Sequence, residues 1–193
     1  MVRLELAAVD RRMAIAGAVA GAAGLALPRR LSSTVNQRGM VGGGLARFEQ
    51  GEANFSLITS RMQFAGDDSE VIVGTILWVD DQAGLTLKSI AVTDYVVPEQ
   101  EGPGPRRIIG TMSVNGEGEY PFWLEVVDAD PPGSGTDTAN LMVGDTAQSG
   151  GYSNSASDSE FSYMANATVV TGDLQDLDIE IDPATGAVRT VED

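Results

Sequence analysis

The sequence predicts an all-β, antiparallel domain, a β-sandwich by first expectation, behind an N-terminal helical signal segment. Three observations lead there. From about residue 45 apolar and polar residues alternate with period two in run after run, the runs are rich in β-branched and aromatic residues, and Asp, Asn, Gly and Pro separate them at short intervals. No stretch beyond that point keeps the i, i+3, i+4, i+7 apolar spacing of a surface helix, and glycine is frequent at 23 of 193 residues.

Taken in order, the chain opens with "DRRMAIAGAVAGAAGLALPRR", in which Arg11 and Arg12 precede an uncharged run from Met13 to Leu27 that meets Pro28. A run of that length is short for a membrane span, which needs roughly 20 residues, and suits the apolar region of an export signal. The paired arginines and the Ala/Gly-rich core resemble a twin-arginine signal, with Ile15 at its aliphatic position, Ala14 where Phe is usual and Asp10 in place of Ser or Thr. That resemblance implies a bacterial protein that folds before export and ends in the periplasm, on the cell surface or outside the cell. Residues 1–30 are therefore read as an export signal, 31–44 ("LSSTVNQRGMVGGG") as a flexible linker, and 45–193 as a single β domain.

Strands are expected over 53–64, 70–80, 85–97, 106–115, 120–128, 138–144, 161–170, 176–181 and 187–191. The connectors "VDDQAGL", "VNGEGEY", "VTGDL" and "DPATGAV" place Asn, Asp and Gly where a tight reversal needs positive φ or an Asx turn, and links this short join antiparallel neighbours only. Turns of unequal length favour the corners of a sandwich, and an antiparallel barrel is the alternative.

Composition removes several kinds of chemistry. The formal net charge is −16, and the part beyond residue 30 holds 26 acidic against 7 basic residues, a net of −19. Such a field repels nucleic acid and anionic lipid headgroups, so neither nucleic-acid binding nor stable membrane insertion after signal removal is expected. With no Cys and no His, thiolate nucleophiles, imidazole bases and the usual zinc sites are absent. Lys88 is the sole lysine, and its neighbour Ser89 points to the opposite strand face, which rules out a Ser/Lys dyad there.

The run "SVNGEGEYPFWLEVVDADPPGSGTDTANLMVG" (113–144), with "ARFEQGEANFSLITSRM" (46–62), resembles a diffuse set of exported bacterial β-domains. They share a Val-x-Gly-x-Gly turn, an aromatic strand ending in Asp and a Pro-Gly-x-Gly-x-Asp loop. The resemblance implies location and fold and brings no agreed activity.

Two groups of residues are candidates for a site. Asp128, Asp130 and Asp137 lie within "DADPPGSGTDTA" (128–139), where an EF-hand pattern fails at Pro132 and Ala139. Two readings stand: a weak calcium site completed by carbonyls and water, or a chain reversal at Pro131-Pro132-Gly133 whose aspartates cap backbone N–H groups. No other cofactor is expected. Among the aromatic residues, Phe122 and Leu124 share one strand face and Trp123 and Glu125 the other, so Trp123 is the expected exposed ring for ligand stacking, with Trp78 second. The acidic run Asp176, Asp178, Glu180, Asp182 alternates with Leu177, Ile179 and Ile181 and reads as a solvated face. No catalytic residue stands out. The expected function is a non-catalytic binding or surface module for a carbohydrate or protein ligand, and the alternative is a carbohydrate-active or other carboxylate-dependent hydrolase.

Overall fold

A computed structural model describes residues 34–64, 69–97, 104–129, 136–149, 161–182, 185 and 187–190. The export-signal reading of residues 1–30 lies outside them. The strands are β1 (Thr34–Phe48), β2 (Gly51–Phe64), β3 (Glu70–Asp80), β4 (Leu85–Val96), β5 (Arg106–Val114), β6 (Glu117–Val127), β7 (Thr138–Gly144), β8 (Ser162–Asp176), β9 (Ile179–Ile181) and β10 (Val188–Thr190). One single-turn helix, α1 (Asp145–Ser149), follows β7.

Each of β1 to β8 pairs antiparallel with the next, and β8 returns to pair with β1, so eight strands close into a barrel. The all-β antiparallel expectation is met. Its first form, a two-sheet sandwich, gives way to the barrel because Met40–Arg47 of β1 pair with Asp176–Thr168 of β8 and leave no open sheet to fold over. β9 continues the β8 path along β1 through the pairs Asn36↔Glu180 and Gln37↔Ile179, and β10 adds a last short strand to it.

Two expected connections are corrected. Residues 34–44, read as part of a linker, form the first part of β1. The glycines there serve close approach rather than mobility: a Cβ at Gly44 would lie 1.8 Å from the Thr171 carbonyl oxygen, and one at Gly172 (φ +98°) would lie 2.0 Å from that of Gly43. "VTGDL", expected as a hairpin turn, is a bulge inside β8, where Leu45↔Thr171 is followed by Ala46↔Val169. The extra residue changes which parity points inward, from Ala165, Ala167 and Val169 to Leu174 and Asp176.

The lumen is filled with side chains. Bulky Phe55, Trp78, Tyr95, Met112 and Phe122 come from β2 to β6 and meet small Ala46, Ala139, Ala165 and Ala167 from β1, β7 and β8, a large-against-small match that a narrow barrel needs. Outward positions carry Glu52, Asn54 and Ser56 on β2 and the cross-strand ion pair Arg107–Glu125 at 2.9 Å. A two-residue reversal falls at the expected Asn115-Gly116, where both residues have positive φ (52° and 82°) and the Asn115 carboxamide oxygen accepts from the Thr86 amide of the neighbouring hairpin at 2.7 Å. β3 and β4 pair only through Leu77–Asp80 and Leu85–Lys88.

Candidate functional site

The barrel has two unlike ends. At one, the β1–β2, β3–β4 and β5–β6 hairpins turn, and β7 leads into α1. At the other lie the start of β1, the loop after β6, and the β8–β9 corner.

The second end is held by charge. Arg106, at the inward-facing start of β5, is 2% exposed. Its Nε and Nη2 donate to Oδ1 and Oδ2 of Asp176 at 3.1 and 2.7 Å, and Nη2 also donates to Asp178 Oδ2 at 3.4 Å. Asp178, 4% exposed, accepts from the Gly39 amide through Oδ1 at 3.1 Å and lies 3.4 Å from Arg38 Nη1. The acidic run is thus not a uniformly solvated face. A fixed guanidinium fork with two carboxylates is the arrangement that offsets the desolvation of a buried cation.

The loop after β6 ends in the same region. Asp137, also buried, accepts from the Ala129 amide through Oδ1 (3.0 Å) and from the Leu174 amide through Oδ2 (3.1 Å). Asp128 Oδ2 accepts from the Asp176 amide at 3.2 Å. Asp128 and Asp137 therefore do the work of the turn reading, capping backbone amides on β8 and within their own loop. Asp130, the third residue of the calcium reading, and the Pro-Gly reversal lie outside the described residues. Among the described residues no group of three or more Asp, Glu, His or Cys is placed to hold a metal ion.

The two tryptophans are corrected as stacking surfaces. Trp78 is fully buried in the lumen between Phe48 and Phe55, with ring centroids 6.4 and 5.6 Å away. Trp123 does point outward, as its strand parity requires, yet it is 5% exposed. Its cross-strand neighbours Ile109 and Met142 flank it on that face, so outward direction does not mean contact with water.

The hairpin end holds a feature that sequence reading missed. The Trp78 indole Nε1 donates to the Tyr163 hydroxyl at 3.0 Å, and that hydroxyl donates to Asp80 Oδ2 at 3.1 Å. Asp80, 3% exposed, closes the β3 end by accepting the Ala83 amide through Oδ1 at 2.9 Å. Burial, followed by the negative charge of Asp80, pushes the Tyr163 phenol well above its ordinary value and keeps it protonated. This chain runs from the lumen to a cleft of about 430 Å³, lined by Phe48, Gln50, Asp80, Gln82, Tyr163 and Met164 among others. Its volume is within the range of small-molecule sites. The inward parity of Asp80 and Tyr163 in their strands was readable in the sequence, whereas their meeting across β1 and β2 depends on barrel closure. The chain matches no protein-family model, no curated protein and no solved structure.

Proposed function

We propose that this protein is an exported, non-catalytic binding module whose ligand rests in the cleft at the hairpin end. The observation that supports this most directly is the cleft itself: a recess over a buried carboxylate and hydroxyl, at the end of a lumen packed with side chains. At the opposite end the buried ionic groups hold one another or backbone amides, an arrangement that stiffens a scaffold. A lumen packed with apolar side chains is the reverse of the polar interior of a membrane barrel, which supports a barrel surrounded by water. The strongly acidic surface and the twin-arginine-like leader support export as a soluble cargo.

The test is a ligand screen of the purified protein against oligosaccharides, peptides and small metabolites, read by the two indole N–H resonances in a proton–nitrogen correlation spectrum. A ligand in the cleft moves the Trp78 resonance, which is linked to the cleft through Tyr163, and leaves Trp123 in place. Turnover of a glycoside or ester substrate that is lost on replacing Asp80 overturns the non-catalytic reading.

A further inference from the structure

Granting that the cleft is the binding place, we infer that its ligand is a small organic cation, a primary ammonium or a guanidinium bound against Asp80. The two oxygens of Asp80 accept from neutral donors only, the Ala83 amide and the Tyr163 hydroxyl, and no Lys or Arg pairs with it among the described residues. The contrast with the other end is direct, since Asp176 and Asp178 share the Arg106 guanidinium. A carboxylate this far out of water gains from an opposite charge.

The direction of the hydrogen bonds points the same way. Tyr163 spends its one proton on Asp80 and receives the Trp78 indole proton, so the pair offers an incoming group lone pairs and no donor. The ligand must bring N–H or O–H groups. Phe48 and Tyr163 line the wall, and aromatic rings attract cations; the net charge of −16 draws cations to the surface as a whole. Calcium is a poor occupant, because one carboxylate already accepting on both oxygens falls far short of its shell of about 6 to 8 oxygens.

The experiment titrates the full chain with n-butylammonium, with n-butylguanidinium and with the neutral isostere n-butyramide, reading the two indole resonances and the heat of binding. Both cations are expected to move the Trp78 resonance to saturation, and butyramide to leave it unmoved. Asp80→Asn, in which Oδ1 still caps the Ala83 amide, is expected to weaken the cations by about tenfold or more. Ala83→Lys places an ammonium at the rim of the cleft and is expected to block the added cations. An equal response to butyramide, or unchanged cation affinity in either variant, overturns the inference. If the cations fail while a neutral library ligand moves Trp78, the inference falls and the binding-module reading stands. If nothing moves it, both fall.

Discussion

Arg106 on β5 reaches across the barrel to Asp176 on β8, with both carboxylate oxygens taken by one guanidinium at 3.1 and 2.7 Å. The same guanidinium touches Asp178 at the start of β9, so one buried cation ties the opposite wall to the C-terminal corner. Arg106→Ala takes from Asp176 its bidentate partner and leaves buried Asp178 with Arg38 as its remaining counter-charge, and the expected loss of stability is about 3–5 kcal/mol. Urea denaturation followed by circular dichroism measures it. A loss below 1 kcal/mol, the scale of an exposed pair, would show the site to be wet.

Asp137 holds two amides that no water replaces easily. Asp137→Ala is expected to cost about 1–3 kcal/mol for each amide left without an acceptor, seen as a lower thermal midpoint. Asp137→Asn keeps one acceptor oxygen and is expected to lose about half as much. Because these oxygens already serve the backbone, millimolar calcium and chelator are expected to give the same midpoint. A calcium-dependent rise that disappears on replacing Asp128 and Asp130 would restore the metal reading of the loop.

Closure of β1 on β8 depends on absent side chains. Gly172→Ala forces φ +98° on a residue with a Cβ and drives that atom onto the Gly43 carbonyl oxygen. The conformational part alone costs about 1–2 kcal/mol, and the clash adds to it. The expected readout is a lower denaturation midpoint with faster amide exchange along β1 and β8. An unchanged midpoint would mean that the two strands stand further apart than described.

Alkaline pH is expected to destabilise the protein through Tyr163. Its folded-state pKa is raised by burial, so the stability it contributes is fully present below about pH 10 and is lost as pH rises through the folded value, where the unfolded chain has already released its proton. Tyr163→Phe removes that contribution. The slope of stability against pH above about 10 is expected to be shallower in the variant than in the wild type. Parallel slopes would place the alkaline sensitivity elsewhere.

Much of the barrel is legible in the sequence where a strand carries its own pattern. Ile108 and Met112 on β5, or Leu141 and Val143 on β7, alternate cleanly with outward residues, and Asn115-Gly116 announces its turn. β1 is illegible for a physical reason: Gly42-Gly43-Gly44 show no alternation, and while Gly43 accommodates the backbone of Phe55 and Ser56 on β2, Gly42 and Gly44 accommodate that of residues 171–174, far along the chain. The sites share this difficulty. Asp178 is buried because Arg106 and Gly39 come to it, and Asp80 meets Tyr163 only in the closed barrel. Strand parity placed Trp123 on the outer face, and its neighbours on that face then decided that it stays dry.

Pairing the first described strand with the eighth also sets an order of events during synthesis. Met40 waits for Asp176, and almost all of the chain that builds the barrel lies between them. Loop-closure entropy of that span must be met before the seam rewards it, so folding is expected in milliseconds to seconds rather than microseconds. Until β8 leaves the ribosome, β1 and β7 each present a bare edge able to pair with another nascent chain. A messenger cut short before codon 162 is therefore expected to yield a product that aggregates instead of a smaller barrel.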